Sequence, residues 1–172
     1  MPTVRERRLA SDFEKVQGLA RNSGGSIQVD FTMGSPPHRY TITMRCRGVS
    51  RLNGISPVYR DTHTFTIELP AAYPSPAGRP LVTFSTPIFH PHVFSNQTVC
   101  LGSSLVGEYL DGLILRIGSL IQYDPQYFDF NSPANRVAAE WAKRNMGLFP
   151  LGNCPFKASL AGSSAITWTD LK

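Results

Sequence analysis

The stretch "FHPHVFSNQTVC", residues 89–100, holds two histidines around a proline and a cysteine eight residues after the second histidine. These residue types suit three kinds of chemistry. His90 and His92, one residue apart on an extended segment, would turn both rings to one side and could ligate zinc with Cys100. A fourth ligand would then have to come from Cys154 or His63, and no recognised spacing supports either. Cys100 could instead be a nucleophile with His92 as its base, but a hydrolase of that kind needs a third group to orient the base, and none is evident. The plainest reading makes Cys100 a buried thiol and His90 a structural histidine bonded to backbone. Against burial stand the polar residues Ser95 to Thr98 before the thiol, the small residues after Leu101, and a position between regular elements, where functional side chains concentrate. From the residues alone the role of the thiol stays open.

The elements that must position this stretch follow from periodicity. Over residues 4–21, Leu9, Phe13, Val16 and Ala20 form one apolar stripe, so a helix is expected, stopped by "NSGG". The period then drops to two. Ile27, Val29, Phe31 and Met33 are expected on one buried face, followed by Tyr40, Ile42, Met44 and Cys46, then by Phe65, Ile67 and Leu69. Residues 48–60, rich in Gly, Asn and Pro, read as a loop. "LVTFS" (81–85) is a fourth short strand after a proline-rich bend. Helical pattern returns over 110–122. "DPQYFDFNSP" breaks it, and 133–145 is expected to be a further helix with Ser132 as N-cap and Pro133 in its first turn. The expected class is α+β: an N-terminal helix, a four-stranded antiparallel meander, an irregular segment holding Cys100, and C-terminal helices. Residues 1–150 form the expected domain, and 151–172 a loosely structured extension.

Bulk properties narrow the classes. With 172 residues, 41% of them hydrophobic and 17% charged, the chain can bury a core and is not of disordered composition. The net charge is +5, but its densest basic run, "RERR", falls on the first helix, so a nucleic-acid-binding arm is not indicated. Three widely spaced cysteines suggest no disulfide framework and a reducing compartment. No apolar run reaches the ~18 residues that span a bilayer, and the N-terminus lacks a secretion signal. A cytoplasmic protein is expected.

Four stretches together resemble the ubiquitin-conjugating enzymes. "VTFSTPIFHPHVFSNQTVCLG" is similar to their active-site segment, in which an aromatic residue precedes His-Pro-Asn and the catalytic cysteine stands eight residues after the Asn. "YPSPAGRPLVTF" resembles their proline-rich run, "RRLASDFEKV" their first helix, and "IGSLIQYDPQYFDFNSPANRVAAEW" their late helix–turn–helix segment. The likeness covers roughly residues 4 to 146. It implies an acyltransferase in which Cys100 accepts the C-terminus of a ubiquitin-like protein as a thioester from an ATP-using activating enzyme. Cys100 then passes it to an amine on a protein target, with no metal and no cofactor. The resemblance also implies that Arg5, Arg7, Arg8 and Lys15 on the first helix dock on the activating enzyme.

Several positions depart from the family pattern. His92 stands in place of the Asn, and would donate to the oxyanion, act as a base toward the amine, or brace the loop formed with His90, Pro91 and Asn96. Gly102 stands where many members carry Asp. Asp129 is the candidate for the missing carboxylate, with Ser132 as a further catalytic candidate and Asn131 beside them. Ser75 and residues 109–112 lack the usual ligase-docking side chains. These departures resemble bacterial pathways without a separate ligase, including anti-phage operons. One branch of those loads the C-terminus of a nucleotidyltransferase onto the cysteine. A catalytically silent binding module is the remaining alternative.

Overall fold

A computed structural model describes residues 1–102, 107–127 and 129–154. Helix α1 spans Val4–Asn22. Thr3 begins it with a reciprocal cap: its hydroxyl accepts the Glu6 N–H at 3.1 Å, and the Glu6 carboxylate accepts the Thr3 N–H at 2.7 Å. The buried residues of α1 are Leu9, Asp12, Val16 and Leu19. Phe13 and Ala20, expected at the centre of the stripe, are only half-buried, and Asp12 takes an inward place that no hydrophobic pattern announces.

Strands β1 (Ile27–Gly34), β2 (Pro37–Asn53), β3 (Ser56–Glu68) and β4 (Leu81–Phe84) form an antiparallel meander in the order β1-β2-β3-β4. Tyr40, Ile42, Met44, Phe65, Ile67, Val82 and Phe84 meet α1 and the later helix α2 (Leu110–Ile121) in the main core. Three sequence expectations need correction here. Residues 48–60 are not a loop: β2 and β3 pair through this region to a turn at Asn53–Ser56, with register shifts between Arg45 and Gly48 and between Val49 and Arg51. Those bulges break the alternation that would have shown the strands, while Asn53-Gly54, with Gly54 at φ 63°, is the hairpin signal that was present. Phe31 and Met33 are exposed at the end of β1, although Phe31 packs edge-on at 4.9 Å against Phe13 of α1.

The third correction concerns the last helix. α3 spans Arg136–Arg144 and its N-cap is Asn135, not Ser132. The Asn135 side chain accepts the Ala138 N–H at 3.0 Å, while its own N–H donates to the Pro91 carbonyl at 2.9 Å. The bond to the segment before Cys100 fixes where the helix begins. α3 and the extended hairpin enclose a second core of Val49, Tyr123, Trp141 and Ala142, with Phe89 and Phe149 against it.

The cysteines also differ from expectation. Cys46 on β2 and Cys154 are joined in a disulfide across 108 residues of sequence, and both are buried. Spacing alone cannot report such a pair, since the sheet brings it together. Asn153 accepts the Arg47 N–H at 3.2 Å, so residues 149–154 lie against the domain. The remainder of the expected extension, 155–172, lies outside the described residues. No helix among the described residues is long and apolar enough to cross a membrane.

Candidate functional site

Between β4 and α2 the chain is irregular, yet it is tied down at many points. Phe89 donates its N–H to the Val49 carbonyl at 2.8 Å and accepts from the Tyr123 hydroxyl. Phe94 to Thr98 form a tight loop in which Asn96 accepts the Thr98 N–H at 3.1 Å and the Gln97 side chain accepts the Ile88 N–H at 2.9 Å. Val93 pairs with Val99, and the Cys100 N–H donates to the His92 carbonyl at 2.8 Å. The eight-residue interval therefore folds back on itself and sets the half-buried Cys100 beside His92. Cys100 is the one cysteine outside the disulfide.

The two histidines differ in kind. His90 is fully buried, packs edge-on against Tyr123 with centroids 4.6 Å apart, and accepts the His92 N–H on Nδ1 at 3.0 Å. Burial pushes its pKa well below the usual imidazole range, with the neighbouring His92 adding to the effect, so it is neutral. His92 is half-buried. Its Nε2 lies 3.2 Å from both the N–H and the carbonyl oxygen of Asp129, which ties the Cys100 segment to the turn before α3.

Cys100, His92, Gly102, Asp129 and Ser132 line one open groove, together with Leu101, Arg116, Gln126 and Tyr127. Asp129 is exposed, and its Oδ1 accepts the N–H groups of Asn131 at 2.8 Å and Ser132 at 3.3 Å. Those bonds hold its carboxyl below the usual range, so it is a fixed negative charge at the groove edge. Asn131 and Asn96 act through the turns they shape, and Pro91 is buried with its carbonyl engaged by Asn135. Arg116 went unnoticed in the sequence. The signal was present, since it is the one cation in the apolar run of α2. Among the described residues no group of three or more His, Cys, Asp or Glu could hold a metal ion.

Arg5, Arg7, Arg8 and Lys15 of α1 divide. Arg7 and Lys15 are exposed, with Lys15 Nζ 4.5 Å above the Tyr109 ring. Arg5 reaches the Leu69 carbonyl at 3.3 Å. Arg8 is committed within the fold: it pairs with buried Asp12 at 3.0 Å, stacks 4.1 Å from the Tyr109 ring centre and donates to the Glu108 carbonyl. A second cleft separates the proline-rich bend from the start of α2, and Ser75 and Tyr109 both line it.

No protein-family model matches the chain, and no curated protein matches it in sequence. Solved structures do match. Ubiquitin-conjugating enzyme E2 UbcA1 from Agrocybe aegerita is 25% identical over 70% of this chain and 83% of its own, with a TM-score of 0.48. Human ubiquitin-conjugating enzyme E2 G1 is 16% identical over 69% of this chain and 98% of its own, with a TM-score of 0.51. Nearly the whole of the human enzyme is matched, and the fold of this chain, a helix, a four-stranded antiparallel meander and closing helices, is that of the ubiquitin-conjugating enzymes.

Proposed function

We propose that the chain is a conjugating enzyme that carries the C-terminus of a ubiquitin-like protein as a thioester on Cys100. The observation behind this reading is the Cys100 segment itself. The only cysteine outside the disulfide stands half-buried on a groove, latched to His92 by its own N–H. In the first step Cys100, as its thiolate, attacks the thioester carbonyl on the activating enzyme. A C–S bond forms to Cys100, the bond to the old sulfur breaks, and the activating enzyme's thiolate leaves. In the second step an amine attacks the Cys100 thioester, its extra proton passes to a base, and the Cys100 thiolate departs.

The residues around Cys100 suggest a division of labour. His92 braces, since its Nε2 is engaged with the Asp129 main chain. Asp129 holds a negative charge where an incoming ammonium would pass, replacing the carboxylate that Gly102 lacks. Of Arg5, Arg7, Arg8 and Lys15, it is Arg7 and Lys15 that face solvent on α1, suited to steering an acidic activating enzyme. The partners are then a ubiquitin-like protein, an ATP-using activating enzyme and a lysine-bearing target. The setting is the cytoplasm, as in the bacterial pathways that the departures resemble. The Cys46–Cys154 bond is buried, which slows its reduction there. The alternatives are a nucleotidyltransferase C-terminus as the cargo, or a silent binding module.

A non-reducing gel with activating enzyme, partner protein, ATP and magnesium tests the reading. Wild type should form a thiol-sensitive adduct, Cys100→Ala none, and Cys100→Ser a thiol-resistant one. No adduct with any ubiquitin-like protein or nucleotidyltransferase partner would favour the binding module.

A further inference from the structure

Gly102 raises a positional problem. It sits two residues after the nucleophile at φ 69°, is exposed, and has no atom of the described residues within 4 Å of where a Cβ would stand. Glycine has more conformational freedom than any other residue, and it has no side chain of its own to anchor this position. Yet a nucleophile works only if its flanking main chain keeps the reacting geometry. Upstream, Cys100 is latched by its N–H to His92. Downstream, two consecutive carbonyls are taken by two arginines from different elements. Arg116 of α2 donates Nη1 to the Leu101 oxygen at 3.3 Å, and Arg79 of the proline-rich bend donates Nη1 to the Gly102 oxygen at 2.9 Å. Arg116 Nη2 also lies 3.1 Å from Glu108 Oε2 in a mostly buried ion pair, though not in hydrogen-bond geometry.

We propose that Arg79 and Arg116 are positioning residues that clamp the main chain after Cys100 from two sides. Guanidinium suits this task because it stays charged, and its bonds to carbonyls are charge-assisted and directional. In a trans peptide unit the carbonyl and the following N–H point opposite ways, so holding the Leu101 oxygen also fixes the direction of the Gly102 N–H. The consequence for transfer rests on the thioester reading above; the effect on the main chain does not.

The test uses the full chain with Arg79→Gln, Arg116→Gln, the double variant and Arg116→Lys. Two quantities are read: the NMR order parameter of the Gly102 amide, and the rate of thioester formation on Cys100. The native amide should show about 0.85, and the double variant should fall below ~0.6. Arg116→Gln should slow thioester formation about tenfold, and Arg116→Lys, which keeps a charged donor, should stay within about threefold of native. Arg79 is exposed, so Arg79→Gln keeps the fold even if Arg116→Gln loosens it through the unpaired Glu108. An unchanged Gly102 order parameter in the double variant overturns the clamp; a lost order parameter with an unchanged rate overturns its consequence for transfer. If the native chain forms no thioester with any partner, the functional reading fails, and the amide measurement alone decides the clamp.

Discussion

Asp12→Ala is expected to be among the most damaging single changes in this protein, although Asp12 lies far from Cys100 in sequence. Its side chain is fully buried and accepts three hydrogen bonds, from Arg8 Nε at 3.0 Å, the Tyr73 hydroxyl at 2.6 Å and the Leu110 N–H at 2.9 Å. The last bond serves a helix that cannot cap itself, because Tyr109 at its N-cap position offers no side-chain acceptor. Asp12 thus caps α2 from α1, and its negative charge lies at the positive end of the α2 dipole. Removing it leaves the Arg8 guanidinium, whose side chain is 15% exposed, without its counter-charge. Breaking a buried pair from one side costs about 3–5 kcal/mol, and that range already includes much of the loss from the orphaned donors. Domains of this size lose roughly 2–4 °C of midpoint per kcal/mol, so a fall of about 10 °C is expected by circular dichroism. Asp12→Asn keeps the shape and an acceptor for Leu110 and should fall about half as far. Adding Arg8→Met to Asp12→Asn removes the unpaired charge and should recover part of the loss. A shift under about 2 °C for Asp12→Ala would refute the argument that this carboxylate joins α1, α2 and the proline-rich bend.

Four further outcomes are expected. Acid should weaken the fold before its carboxylates protonate: burial lowers the pKa of His63 to about 4 and that of His90 well below its usual value, so between about 6.5 and 4 the unfolded chain binds more protons and stability falls as pH falls. His63 alone should remove roughly 2 kcal/mol between pH 7 and pH 5, read from urea midpoints; a flat profile over that range would contradict it. Intact mass under non-reducing conditions should be lighter by two hydrogens than the reduced chain, with Cys100 the one thiol alkylated after unfolding, and Cys154→Ser should lower stability by up to ~4.7 kcal/mol, the loop-entropy value for a closure of this length. Gly48→Ala should destabilise by about 1–3 kcal/mol, because its methyl would stand 2.6 Å from Ile121 Cγ2 and 2.8 Å from His63 Nε2. Gly102→Asp meets no atom of the described residues within 4 Å of its Cβ, and Asp is among the residues that tolerate a positive φ, so the fold should survive while discharge of the thioester to free lysine speeds up; an unchanged discharge rate would argue against the missing-carboxylate reading.

The sequence by itself determined the order of elements. Period-two alternation marked three of the four strands, and a 3.6-residue stripe marked α1 and α2, because burial of one face imprints its own period on the chain. It also marked the residues of the Cys100 segment, whose spacing is a local property. Tertiary structure alone decided what crosses long separations. Asp12 caps Leu110 from 98 residues away, Cys46 meets Cys154 across 108, and Arg116 reaches Leu101 from the opposite side of the groove. The start of α3 moved from Ser132 to Asn135 for the same reason, since the Asn135 N–H is tied to Pro91. Residues 48–60 read as a loop because two bulges disrupt the alternation, and only pairing with the partner strand shows them to be β-structure. Hydrophobic period records which face is buried. It does not record which polar group on one element satisfies a donor or charge on another, and the groove beside Cys100 is built from such pairings.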